Sequence, residues 1–203
     1  MWFAIVVTVL TGYLLGNLNG AVSMSILFND DVRTHGSGNA GLTNFVRNFG
    51  YTKAGLVILI DVGKAVLACL AGQLMMNEFG MAMEGRMLGA IGVSLGHDFP
   101  ALLGFRGGKG VLSGLAIAAT IDWRCALIIL GVFVICVALT KFVSLGSVLG
   151  SLSFSIYFGI CYRHSLVLML GGIFLGAMVI FMHRSNIVRL IKGTERKFSF
   201  KKD

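Results

Sequence analysis

"AGLVILIDVGKAVLACLAGQLMM", residues 54–76, decides the class of fold. Apart from Asp61, Lys64 and Gln73 it is apolar on every face of a helix, with no solvent-facing stripe. A run of about 20 such residues crosses a hydrocarbon core about 30 Å thick. Charged groups at that depth are costly and face the interior of a bundle. Asp61 and Lys64 stand at i and i+3, so they share a helix face and can pair. They either form a structural ion pair or line a site.

Similar runs lie on both sides, at 2–27, 83–99, 111–121, 125–139, 143–161 and 166–182. The whole chain is 56% hydrophobic and only 13% charged, with mean hydropathy +0.86. A soluble domain carries about twice that charge. The runs are continuous and do not alternate with period two, which argues against a β-barrel. The expected fold is all-α: a polytopic membrane bundle of about seven transmembrane helices, with 1–203 as one domain. Segment 111–121 is short for a span, and the alternative is a five-span arrangement with segments partly in the membrane. The first run has no positive stretch before it and no small-residue cleavage site after 1–16. It reads as the first span and not as a removed signal peptide.

Seven spans put the termini on opposite sides. Arg33, Arg47, Lys53, Arg106, Lys109, Lys141 and the basic tail from Arg184 fall on one side, against Arg86, Arg124 and Arg163 on the other. The richer side is expected to be cytoplasmic, with the N-terminus outside. The net charge of +8 is then explained by this bias, by anionic lipid and by an anionic substrate, and not by nucleic acid. The cysteines, Cys69, Cys125, Cys136 and Cys161, are scattered, form no C-x-x-C pair and read as small buried hydrophobes. No metal site and no cofactor are expected.

Three polar segments fall on the basic side. The first, "HGSGNAGLTNFVRNFG" at 35–50, sets Ser37, Asn39, Thr43 and Asn44 among glycines and ends its polar run in Arg47. Residues 44–49 can start a helix whose first amides favour an anion. The second contains "GGKG", Gly107, Gly108, Lys109 and Gly110, directly before an apolar run. A glycine-rich turn and a lysine at a helix N-terminus suit a phosphate. It is not a nucleotide-binding P-loop, because Gly110 and not Ser or Thr follows the lysine. The third, "HRSNIVRLIKGTERKF" at 183–198, places His183, Asn186 and Arg189 near one helix face. Its distal basic residues read as a contact with anionic lipid. Together the segments suggest a site for one or two phosphates beside the lipid, with a small phosphate and an amphiphile as substrates.

At these residues the chain resembles the bacterial acyl-phosphate-dependent glycerol-3-phosphate acyltransferases. G-S-G-N-x-G-x-T-N-x-x-R is matched at 36–47, G-H-x-x-P…F-x-G-G-K-G-V at 96–111, and H-x-x-N-I-x-R-L-x-x-G-x-E at 183–195. The family's D-x-x-K matches Asp61 and Lys64. The family's G-S-I-P-like run in the first span is replaced by "GNLNG", with Asn17 and Asn19. After Lys109 the family's V-A-T becomes Val111, Leu112 and Ser113, which keeps a hydroxyl. Leu42 and Ala65 replace a frequent Ala and Gly.

The resemblance implies acyl transfer from a long-chain acyl phosphate to the 1-hydroxyl of sn-glycerol 3-phosphate, at the cytoplasmic face of the bacterial inner membrane. Lysophosphatidate and phosphate are the products, in phospholipid synthesis, and no metal or nucleotide is needed. It implies catalytic roles for Ser37, Arg47, Lys109, His183 and Asn186. It implies substrate contacts from Asn39, Thr43, Asn44, His97, Gly107, Gly108, Gly110, Ser113, Arg189 and Glu195. The proton of the attacking hydroxyl goes to a substrate phosphate oxygen, or to His183 or His97. No histidine has Asp five residues later, so the H-x-x-x-x-D chemistry of thioester-dependent acyltransferases is not expected. The main rival is a small organic-anion transporter, which should show inverted repeats and a mid-membrane site. A lipid phosphotransferase would need an acidic metal-binding set, which Asp30, Asp31 and Asp61 do not supply.

Overall fold

A computed structural model describes residues 1–198. Every regular element among them is helical. The chain divides into two compact units, Met1–Ile121 and a second beginning at Asp122.

In the first unit, α1 (Trp2–Gly16) and α2 (Gly20–Ile26) share the first apolar run. A short helix follows, α3 (Leu42–Phe49), then α4 (Ala54–Asn77), α5 (Ala82–Asp98) and α6 (Val111–Ile121). The second unit holds α7 (Trp123–Thr140), α8 (Val143–Cys161), α9 (Leu166–Met182) and α10 (Arg184–Ile191).

Seven spans is not what the structure shows. Four segments are long and apolar enough to cross a membrane: 2–26, α4, α7 and α8. A fifth arises if α9 and α10, bent by 56°, count as one span. α6, at 11 residues, falls short, and α5, at 17, stands at the lower limit of a span. At 1.5 Å per residue α6 is only about 17 Å long. The expected apolar runs are all present as helices, but not each of them is long enough to stand as a crossing by length and composition. α5 in particular is an enclosed helix, with Met87, Gly89, Ala90 and Val93 among its buried residues.

Glycines build the core of the first unit. α5 turns Gly85 and Gly89 toward α4 and Gly92 and Gly96 toward α1. A Cβ at Gly85 would land on the Gly72 carbonyl, one at Gly89 on the Ala68 carbonyl, and one at Gly96 on the Tyr13 carbonyl. Close backbone approach through small residues is how helices associate where the surroundings are already apolar. The outer faces remain greasy. α7 exposes Leu127, Val134, Ile135 and Leu139, as a lipid-facing helix should.

The first run breaks at Asn17–Asn19. Asn19 caps α2, its side-chain oxygen accepting from Val22 N at 3.0 Å. The break exposes the last carbonyls of α1 and the first amides of α2. The buried pair on α4 satisfies both. Lys64 Nζ donates to the Gly16 carbonyl at the end of α1 at 3.4 Å and to the Leu18 carbonyl in the break at 2.5 Å, and Asp61 Oδ1 accepts from Gly20 N at 3.1 Å. A cation at a helix C-terminus and an anion at an N-terminus also match the helix dipoles. Lys64 and Asp61 are themselves 2.8 Å apart, each 2% exposed.

Candidate active site

The first polar loop is shaped around one amide. Asn44 Nδ2 donates to the carbonyls of Val32, His35 and Asn39 at 2.9, 3.0 and 3.1 Å. Its Oδ1 accepts from Ser37 N at 3.0 Å and from Asn48 Nδ2 at 3.2 Å. The loop wraps tightly enough that Gly36 and Gly38 take φ of +59° and +68°, which favours glycine. A Cβ on Gly36 would also press on Asn44 Oδ1. Asn44 is thus spent on the fold of the loop. Ser37, Thr43 and Arg47 lie exposed on it, and Asn39 is half-buried. Helix α3 starts at Leu42, two residues before the expected start, so Arg47 projects from its last turn.

Arg33 fastens this loop to the next. Its guanidinium chelates Asp31, with Nε at 3.0 and 3.1 Å and Nη2 at 2.8 Å, while Nη1 donates to the Leu103 carbonyl at 2.9 Å. The Arg33 hydrogen bond holds the Asp31 carboxyl below the ordinary carboxylate value. On the other side, Tyr13 Oη donates to the Phe99 carbonyl at 2.9 Å and accepts from Ala101 N at 3.1 Å. Asn17 Oδ1 accepts from Leu102 N at 3.0 Å.

These contacts set the entry into the glycine-rich loop, which runs straight into α6. Gly108 is buried and its amide donates to the His97 carbonyl at 3.0 Å, so that amide serves the loop and not a ligand. Gly107 and Lys109 are half-buried, and Gly110, buried, accepts from Gly114 N at 2.7 Å. Ser113, 1% exposed, donates to the Asp61 carbonyl at 3.3 Å. His97 is also buried, with Nδ1 2.7 Å from Lys64 Nζ. The structure therefore brings Ser37, Asn39, Thr43, Asn44, Arg47, His97, Gly107–Gly110 and Ser113 together at one end of the first unit. Antiparallel α4 and α5 put the start of one beside the end of the other.

In the second unit, His183 sits at the bend between α9 and α10. Its Nδ1 is 2.8 Å from the Val179 carbonyl. A carbonyl only accepts, so Nδ1 carries a proton. Asn186 and Arg189 then converge on one carboxylate. Glu195 Oε1 accepts from Asn186 Nδ2 and from Ser144 Oγ, each at 2.7 Å, and Oε2 accepts from Arg189 Nε at 2.7 Å. The returning chain is closed by Phe198 N donating to the Lys141 carbonyl at 2.7 Å. The tail residues Lys201 and Lys202 lie outside the described residues.

Sequence reasoning missed Tyr13, Asn17, Asn19, Arg33 and Ser144. For Asn19 a signal existed: Asn before a new apolar turn is a helix N-cap. The others act through contacts that are distant along the chain. Among the described residues no group of three or more His, Cys, Asp or Glu side chains converges as a metal site would.

A family model described as "Glycerol-3-phosphate acyltransferase" matches residues 6–193. The chain belongs to the glycerol-3-phosphate acyltransferase family. A glycerol-3-phosphate acyltransferase of Thermoanaerobacter sp. (strain X514) is 40% identical over 197 residues, covering 97% of this chain and 96% of that protein. One from Clostridioides difficile (strain 630) is 40% identical over 203 residues, covering 99% and 98%. Among solved structures, PlsY, an integral membrane glycerol 3-phosphate acyltransferase, in its glycerol 3-phosphate form, superposes with TM-score 0.86. It is 29% identical, with 96% of each chain covered. The lysophosphatidic acid form gives 0.83 at 28% identity, covering 96% of this chain and 95% of that one. The family resemblance read from the motifs is thereby shown, and this chain is an integral membrane acyltransferase.

Proposed function

We propose that this protein transfers a long-chain acyl group from acyl phosphate to the 1-hydroxyl of glycerol 3-phosphate, releasing 1-acyl-glycerol 3-phosphate and phosphate. One observation carries the reading. The chain superposes over nearly its whole length on a protein solved with glycerol 3-phosphate and with lysophosphatidic acid, the substrate and the product of such a step. The donor is inferred from the chemistry available. An acyl phosphate is already activated, so the protein needs only to position two substrates and stabilise charge. Such positioning lowers a barrier by about 7–11 kcal/mol.

In the first unit, Lys109 and the loop around it hold a phosphate. Ser37, exposed on the neighbouring loop, and Arg47, exposed on α3, hold the other phosphate or steady the carbonyl oxygen as it gains negative charge. In the second unit, Asn186 and His183 orient glycerol 3-phosphate, with Glu195 fixing Asn186 and Arg189. The hydroxyl oxygen bonds to the acyl carbon, the acyl–phosphate C–O bond breaks, and the proton leaves to a substrate phosphate oxygen. His183, through Nε2, is the alternative acceptor. The reading places the site at the cytoplasmic face of the inner membrane, where the basic ends lie, and treats the whole chain as one acyltransferase domain. No cofactor takes part.

Mass spectrometry of the product tests the donor. Purified protein given glycerol 3-phosphate should make 1-palmitoyl-glycerol 3-phosphate from palmitoyl phosphate and not from palmitoyl-CoA. Product from the thioester alone would overturn the assignment.

A further inference from the structure

Lys64 Nζ donates to the Gly16 carbonyl at 3.4 Å and has three closer neighbours. Asp61 Oδ1 lies at 2.8 Å, the Leu18 carbonyl at 2.5 Å and His97 Nδ1 at 2.7 Å. A lysine ammonium offers three protons and accepts none. Every close partner of the ammonium must therefore accept, and His97 Nδ1 is one of these acceptors. Asp61 is 2.8 Å from Lys64 but 3.7 Å from His97, so the positive charge belongs on the lysine. The imidazole is then neutral, with its proton on Nε2.

The far side of the ring is equally constrained. A Cβ at Gly108 would land on His97 Nε2, and one at Gly107 on the His97 carbonyl. The Gly108 amide is already bonded to that carbonyl at 3.0 Å. His97 is clamped between Lys64 and the first two glycines of the loop. Lys64 and Asp61 are in turn bonded to the two ends of the broken first span, at Leu18 and Gly20.

We propose that Asp61, Lys64 and His97 are positioning residues that lock the Gly107–Gly110 loop to the break in the first span, and that His97 is not the proton acceptor of the reaction. The ring has no lone pair to offer, since Nδ1 is taken by Lys64 and Nε2 carries hydrogen. Gly107 and Gly108 are glycines because the imidazole and its carbonyl occupy the space a side chain would need. The inference rests on the acyl-transfer reading for its catalytic consequence, but its geometry can be tested apart from it.

Two variants and one spectrum do so. In His97→Asn the side-chain oxygen replaces Nδ1 as the acceptor for Lys64, yet cannot take a proton from an alcohol. In His97→Leu the volume stays and the acceptor goes. The positioning role predicts that His97→Asn stays within about tenfold of wild-type kcat, with a raised KM for the phosphate substrates, and that His97→Leu loses more than about a hundredfold. Equal, large losses of kcat in both, with KM unchanged, would overturn it. Nitrogen-15 NMR of histidine-labelled wild-type protein in detergent, with His97 assigned by its disappearance in His97→Asn, should show an unprotonated Nδ1 and a protonated Nε2 near neutral pH. A proton on Nδ1 contradicts the proposal whether or not the protein is catalytic. Wild-type protein without transfer activity would remove the proposed function and leave the spectral test standing.

Discussion

Asn19 Nδ2 donates to the Ala40 carbonyl at 3.1 Å, joining the break in the first span to the end of the first polar loop. The same side chain caps α2 through Val22 N. Asn19→Ala should therefore cost about 1 kcal/mol for the cap and a further ~1–3 kcal/mol for the buried carbonyl left unsatisfied. Thermal unfolding in detergent measures it. Asn19→Asp should recover the cap but not the bond to Ala40. An alanine variant that melts with the wild type would contradict the linkage.

Two glycine substitutions should move stability in opposite directions. Gly89→Ala puts a methyl group against the Ala68 carbonyl, whereas Gly63 has nothing within 4 Å of its added Cβ. Overpacking at Gly89 should cost ~1–3 kcal/mol. Gly63→Ala, in the same helical bundle but facing outward, should stabilise by about 0.5–1 kcal/mol. Similar melting temperatures for the two would refute the packing described for α4 and α5.

The tail closure should be acid-labile. Burial pushes the Glu195 carboxyl up, but hydrogen bonds from Ser144, Asn186 and Arg189 outweigh it and leave the group below its ordinary value of 4.5. A carboxyl with a lowered folded value stabilises fully above the unfolded value and loses that contribution as pH falls through the folded one. The protection of amides 186–198, taken relative to their intrinsic exchange rates at each pH, should thus fall only in acid. Glu195→Gln should show the lower protection already at neutral pH. Protection that is flat with pH in the wild type would exclude the carboxylate as the lock.

His183 decides the route of the proton. If a substrate phosphate takes it, His183→Gln should lose less than about tenfold in kcat, because glutamine still occupies the bend. A loss above about a thousandfold would assign the base to Nε2.

Much of this was legible in the sequence. The run at 54–76 crosses as a single helix because its hydropathy is unbroken, and its Asp61 and Lys64 pair as their spacing requires. Arg47, in the last turn of α3, and Lys109, in the glycine-rich loop, stand in the two segments that their motifs marked. The break at Asn17–Asn19 was marked only by the N-cap signal of Asn19, inside a stretch, 2–27, that otherwise reads as one apolar run. What stabilises the break comes from Ala40, Asp61 and Lys64, which are distant in sequence. The partners of Asn44 were hidden: five hydrogen bonds to Val32, His35, Ser37, Asn39 and Asn48 fold the loop. The count of about seven spans is not shown: by length and composition four segments qualify, or five with the bent pair. An apolar helix such as α6 can be buried among its neighbours without being long enough to cross.

The most direct test is phosphate release from palmitoyl phosphate by the purified protein, with and without glycerol 3-phosphate, repeated with Lys109→Ala. The account predicts release that depends on glycerol 3-phosphate and falls by about a hundredfold or more in the variant. No release from folded wild-type protein would contradict acyl transfer and turn the reading toward an anion carrier. Release that ignores glycerol 3-phosphate would make it a phosphatase of acyl phosphates instead.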